Sequence, residues 1–272
     1  MKRVGFVLKH DSSAASEIAR ELAPRLAKEG VEVVDEARVD GNVQLLVVLG
    51  GDGTFLRGAS LGAPHGIPIL GVNLGSLGFL TAFSREEAER ATLSALRGEL
   101  PIEERMRLQV TLTRSSGEKE VYAALNDCVI NQGALARLLD LEVNLDGTRV
   151  TVYKADGLII ATPTGSTAYN LAAGGPILVP DLQAIVLTPI CPHTLTNRPL
   201  VAPGDAHVQV HVGPGSQNVV MTIDGQMGRP VASGDRVEVC CGEKPARMVV
   251  SPARGFFDVL RQKLNWGERT AK

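Results

Sequence analysis

The chain has no basic run, no long apolar run and no metal-spaced cysteines, and each absence removes a class of function. Its 28 Lys and Arg are outweighed by 30 Asp and Glu, giving a formal net charge of −2, so nucleic acid is not the expected main partner. The longest apolar stretches fall well short of a membrane span, so no membrane is expected either. Met1-Lys2-Arg3 is followed by only a short apolar stretch before Lys9 and His10, and no leader is expected. Cys128, Cys191, Cys240 and Cys241 lack metal spacing, and adjacent Cys240 and Cys241 do not easily bridge, so reduced thiols and a cytoplasmic location are expected. His207 and His211 stand four apart on a predicted strand, roughly 13 Å at ~3.3 Å per residue, too far to share a metal. Gly-x-x-x-x-Gly-Lys-Ser/Thr is absent, and Gly51-x-Gly53 runs on to Leu56 instead of a third glycine. Neither common nucleotide fingerprint is therefore present. Internal repeats and low-complexity segments are missing as well.

What remains is a folded chain of 272 residues, 44% hydrophobic and 21% charged, long enough for one or two domains with real cores. The first hundred residues alternate strand and helix. Strands are expected at Val4 to Leu8, Val31 to Val34, Gln44 to Leu49 and Ile67 to Val72. A helix is expected from Ser12 to Lys28, with Ile18, Leu22 and Leu26 at four-residue spacing, although Pro24 interrupts it. Ser84-x-x-Glu87 reads as a capping box opening a further helix that ends near Gly98. After Pro101 the period becomes alternating, as in Leu108, Val110 and Leu112, in Leu139 to Leu145 before the Asp146-Gly147 turn, and in Val208 to Val212. The expected fold is α/β plus all-β: a doubly wound, Rossmann-like α/β domain (1–100) and a C-terminal antiparallel β-sandwich (101–250). Phe256, Phe257 and Leu260 suggest a helix in 251–272 returning to the first domain.

Gly50-Gly51-Asp52-Gly53-Thr54 follows the unbroken aliphatic run Leu45 to Leu49. Such a run reads as a buried parallel strand, and ligands of open α/β sheets bind at that strand's carboxyl end. The glycines can take positive φ and admit backbone N–H groups to a ligand, so Gly50, Gly51, Gly53 and Thr54 are expected to form a phosphate-donor loop at a helix start near Thr54. Asp52 repels phosphate, so its task is to take a proton from a hydroxyl or to hold a metal; a helix-capping turn is the plainer alternative. A second loop, Asp156 through Asn170, ends a buried strand in Thr-Pro-Thr-Gly-Ser-Thr before a helix beginning within Ser166 to Tyr169. Its hydroxyls, amides and tyrosine suit a nucleoside.

Together these stretches, the second continued to Pro176, with Asn73 to Leu80, Asn126-Asp127, Pro192 to Leu200 and Asp224-Gly225-Gln226, resemble the NAD kinase family, which phosphorylates the 2′-hydroxyl of the adenosine ribose of NAD. The resemblance implies that Asp52 is the catalytic aspartate with Gly53 beside the substrate. It places Phe79, Asn126, Asp127, Asp156, Thr164, Thr167, Ala168, Tyr169, Asn170, Leu171 and Ala172 at the dinucleotide, with Asp127 standing where the family has Glu. Arg57, Arg137 and Lys154 match basic or polar positions near the dinucleotide, with plain surface cations as the alternative. Gln226 is either a late ligand contact or part of a hairpin turn. The resemblance further implies ATP or polyphosphate as donor with Mg²⁺, no dedicated metal cage, and a homodimer or homotetramer. Two other readings stay open: a lipid kinase of the diacylglycerol or sphingosine type, which shares the glycine-aspartate-glycine loop, and an NAD(P)-binding module without turnover.

Overall fold

The computed structural model describes residues 2–75, 77–133, 138–216 and 218–266. The chain forms two compact units, Met1–Glu104 with Ala246–Lys272, and Arg105–Pro245. Among the described residues no helix is long and apolar enough to cross a membrane.

The first unit is built on the strands β1 (Lys2–Leu8), β2 (Val31–Val34), β3 (Leu45–Leu49), β4 (Ile69–Val72) and β5 (Ile102–Arg105). They form one sheet in the order β2-β1-β3-β4, then the late strand Ala246–Val249, then β5. Both Ile102–Arg105 and Ala246–Val249 come from the stretch whose sequence reads as β-domain. Pairing is parallel from β2 to Ala246–Val249. β3 is buried along its whole length because both faces are covered. Leu45, Val47 and Leu49 pack with Ile18, Leu22 and Leu26 of α1 (Ser13–Lys28) and with Ala91 of α3 (Ala88–Leu96). On the opposite face α2 (Asp52–Gly62) approaches so closely that a β-carbon at Gly58 would lie 2.7 Å from Val48, and one at Gly62 2.8 Å from Leu46.

Helix α1 is capped by the Ser12 hydroxyl, which accepts the Ala15 N–H. Pro24 is tolerated because it and Arg20, whose carbonyl loses its amide partner, are both exposed to water. The expected capping box at Ser84 is half made. The Ser84 N–H donates to Glu87 at 2.8 Å, but Glu87 also receives Arg254 at 2.9 Å, and α3 begins after Glu87.

The second unit is a β-sandwich. One sheet joins β6 (Leu108–Thr113), β7 (Lys119–Ala124), β9 (Leu139–Leu145), β10 (Thr148–Ala155), β14 (Val208–Val212) and β17 (Arg236–Cys241). The other joins β8 (Asp127–Gln132), β11 (Gly157–Ala161), β12 (Ala184–Ile190), β13 (Leu200–Pro203), β15 (Val219–Ile223) and β16 (Met227–Val231). Leu108, Val110, Leu112, Leu139, Leu141 and Val143 of the first sheet share a core with Ile130, Leu158, Ile160, Leu187 and Met221 of the second. The Asp146-Gly147 hairpin forms as its sequence implies, with φ of 50° and 76°. β11 reads as an unbroken apolar run because its other face is buried too: Ile159 and Ala161 pack with Val129, Val186 and Leu178.

Candidate active site

In the first unit the strand order reverses direction between β1 and β3, and in open α/β sheets ligands bind beyond the carboxyl ends of the strands at such a point. There the Lys9 N–H donates to Leu49 O at 2.9 Å and the Gly50 N–H to Val72 O at 3.0 Å. α2 starts at Asp52, two residues earlier than the sequence suggested, with Gly51 as its N-cap. None of Gly50, Gly51 and Gly53 uses the positive φ open to glycine. The close approach of Thr54 explains Gly50, whose β-carbon would meet Thr54 Oγ1 at 2.4 Å. At Gly51 and Gly53 a β-carbon would meet no protein atom within 4 Å. The fold does not require glycine at these two positions, and their bareness keeps the helix start open to a ligand.

Asp52 does not cap the helix. Its carboxylate accepts the Phe79 N–H at 2.9 Å, the Leu80 N–H at 3.0 Å and the Thr81 hydroxyl at 3.4 Å. Those donors come from an excursion of the chain that leaves β4 and returns at Phe83. Asn73 N–H to Phe83 O (2.7 Å) and Phe83 N–H to Gly71 O (3.1 Å) close its base. Glycine at 71 lets Leu80 O approach, since a β-carbon there would lie 2.6 Å from it. The carboxylate is thus fixed at the positive end of α2 without being engulfed: Asp52 itself is half-buried. Phe79 contributes its backbone here, while its ring sits 6.2 Å from that of Phe256 and under Lys263 Nζ at 5.6 Å. Arg57 pairs with Glu36 at 2.9 Å and donates to Leu8 O.

In the second unit Asn126, Asp127, Ala168 and Tyr169 line one cleft of about 280 Å³ with Val129, Asn131, Thr222, Asp224 and Gly225. Two loops meet there. Glycine at 165 permits their contact, because a β-carbon would lie 2.1 Å from Asn126 O. Thr162 ties them further: its N–H donates to Asn126 O at 2.8 Å, and its hydroxyl donates to Leu125 O and accepts the Gly165 N–H. Tyr169 is 45% exposed, so its ring is available to a base. Asp224, absent from the residues the resemblance places at the dinucleotide, is half-buried and lines the same cleft. Its carboxylate accepts the N–H groups of Leu125 (2.9 Å), Asn126 (2.7 Å) and Asp127 (3.1 Å). Asp127 is only 4% exposed, and burial beside Asp224 pushes its carboxyl up to about 7. Burial likewise raises Asp224, against the three amides and the Arg107 guanidinium that lower it.

The remaining candidate residues have varied surroundings. The Asn170 side chain donates to Ser166 O and Pro176 O and accepts the Thr188 hydroxyl at 2.6 Å, which makes it a loop staple rather than an open group. Thr164 is buried, and its carbonyl accepts the Thr167 hydroxyl. Leu171 and Ala172 continue the short helix Tyr169–Ala172. Lys154 is exposed and pairs with Asp140 at 3.5 Å; Asp156 is exposed two residues on. Gln226 follows the Asp224-Gly225 turn (φ 50° and 64°) that links β15 to β16, so its hairpin role is real. Arg137 lies outside the described residues. Among the described residues no group of three or more His, Cys, Asp or Glu could hold a metal ion.

Comparison with known proteins adds to this geometry. The ATP-NAD kinase N-terminal domain matches residues 36–100 and the ATP-NAD kinase C-terminal domain matches 125–251. A protein named NAD kinase from Syntrophotalea carbinolica is 44% identical over 285 residues, covering 99% of this chain and all of the relative. One from Solibacter usitatus is 45% identical, covering 99% of both. Among solved structures, yeast NADH kinase complexed with NADH superposes with a TM-score of 0.93 at 26% identity, covering 100% of this chain and 90% of that one. An NAD kinase from Archaeoglobus fulgidus in complex with ATP gives 0.77 at 28% identity, covering 95% and 98%. These matches do not favour the lipid-kinase alternative.

Proposed function

The chain belongs to the NAD kinase family and is an enzyme that phosphorylates NAD with ATP; we propose that Asp52 receives the proton of the adenosine-ribose 2′-hydroxyl as that oxygen takes the phosphoryl group. The observation that carries this is the carboxylate held by the Phe79 and Leu80 amides at the start of α2, with bare glycines on either side. A hydroxyl set against Asp52 is aligned by one strong hydrogen bond, and its proton has a place to go. In a loose phosphoryl transfer that proton leaves late, so holding the oxygen in line counts for more than the strength of the base. The positive end of α2 favours the charge that builds on the transferring phosphoryl group.

The donor set fits Mg²⁺ carried in by the phosphates, since one carboxylate with backbone amides provides too few oxygens for an all-protein cage. When bound, the ion would neutralise the donor's phosphate charge. The cleft of the second unit supplies recognition: the Tyr169 ring for a base, and Asn126 and Asp127 for polar edges. Inorganic polyphosphate as an alternative donor to ATP, a homodimer or homotetramer and a cytoplasmic location complete the reading. The test is direct. The protein is incubated with NAD, ATP and Mg²⁺, and NADP is followed through an NADP-specific dehydrogenase. Stoichiometric NADP is expected; its absence with correctly folded protein rejects the assignment.

A further inference from the structure

The cleft of the second unit contains two carboxyl groups whose surroundings differ sharply. Both oxygens of Asp224 are used, accepting three backbone N–H groups, and the buried Arg107 guanidinium lies close enough to favour its charge. Asp127 has the opposite environment. Its own N–H is among the donors to Asp224, yet among the hydrogen bonds of the described residues none reaches its side-chain oxygens. It is 4% exposed, and what exposure it has opens on the cleft. Among the described residues the remaining ionisable groups nearby are the buried Cys128 thiol, itself pushed up by burial, and the Tyr169 phenol. Neither offers Asp127 a cation. Two adjacent acids, Asp127 buried and Asp224 half-buried, share one set of donors and cannot both carry charge at modest cost, so the negative charge belongs to Asp224 and the proton to Asp127.

We propose that Asp127 acts as a neutral hydrogen-bond donor to an acceptor atom of the dinucleotide, such as a carboxamide oxygen or a ring nitrogen, and that NAD affinity is lost as this acid ionises. The inference rests on the cleft being the dinucleotide site, and it deepens that reading by specifying the chemistry of one contact. A carboxylate at this place would meet such an acceptor with repulsion; the acid meets it with a hydrogen bond. The raised Asp127 ionisation, about 7, places the change near neutral pH. NAD itself has no group that titrates between pH 6 and 8.5, so the pH dependence of binding reports the protein.

The experiment is NAD binding by calorimetry, without ATP, from pH 6 to 8.5. For wild type the Kd is expected to rise roughly thirtyfold over this range, as for one group near 7 whose ionised form binds poorly. At pH 8 binding should take up a proton, visible as a dependence of the observed heat on buffer ionisation enthalpy. Asp127→Asn cannot ionise, and the ratio of its Kd values at the two extremes should fall to near one. A flat wild-type profile, proton release on binding, or an Asp127→Asn variant with the wild-type slope each overturns the proposal. Should that variant fail to fold, the wild-type profile and proton count decide alone. Absence of NADP formation in the turnover assay alongside pH-dependent NAD binding would reject the kinase reading while leaving this one standing.

Discussion

Gly78 stands so close to Asp52 that a β-carbon on it would lie 2.1 Å from the carboxylate oxygen Oδ1, and 2.4 Å from Thr81 Oγ1. The acid and the absence of a side chain opposite it are one arrangement. Gly78→Ala must displace the Asp52 carboxylate or the amides that hold it. A shift near 1 Å at a reacting group lowers kcat on the order of a hundredfold. Steady-state kinetics should show that loss with the KM for NAD changed far less; an unaltered kcat would separate Asp52 from the chemistry.

Asp52→Asn tests the same group directly. The amide cannot take a proton, and its NH₂ end would face either the Phe79 or the Leu80 N–H, donor against donor. A kcat reduced by roughly 10²–10⁴, with NAD binding largely retained, is expected. Near-normal turnover would remove Asp52 from its role.

Tyr169→Ala should act on binding. A ring stacked on a base contributes about 1–3 kcal/mol, as much in the ground state as in the transition state. The KM for NAD should therefore rise by roughly tenfold or more while kcat stays close to wild type. A fall in kcat with constant KM would contradict stacking.

Asp127 also makes stability depend on pH. Its ordinary value of 3.8 is raised to about 7 in the fold. Between those values the folded chain keeps a proton that the unfolded chain has lost, so stability falls as pH rises through the window. Asp127→Asn has no such slope. Denaturant unfolding at pH 4 and pH 8 should show the variant gaining on wild type by on the order of a few kcal/mol across that interval. An equal difference at both pH values would mean that Asp127 is already ionised in the fold.

Local pattern carried much of the first unit. Ile18, Leu22 and Leu26 face one core because four-residue spacing allows little else, and Leu45 to Leu49 is unbroken because helices cover both faces. The strand Ala246–Val249 was illegible: Arg247 interrupts its apolar run, and its partner β4 lies far back in the chain. The site shows the same division. Asp52 stood out as a carboxylate in a glycine turn, but its partners Phe79 and Leu80 are brought there by an excursion that no spacing encodes. Asn170 carried a ligand-type side chain whose donors and acceptor are spent on Ser166, Pro176 and Thr188. The pairing of Asp127 with Asp224 crosses between strands distant in sequence, so only the fold reveals the unequal acids.

Strand Ala246–Val249 lies between β4 and β5, yet it follows the whole second unit in the chain. A growing polypeptide emerges from its amino end, so the second unit is fully synthesised while the first still has an open sheet edge. The later-encoded module can therefore mature before the earlier one. Until the last strand arrives, that gap is an unpaired edge able to recruit a foreign strand, and a stalled or prematurely ended translation product would be prone to aggregate.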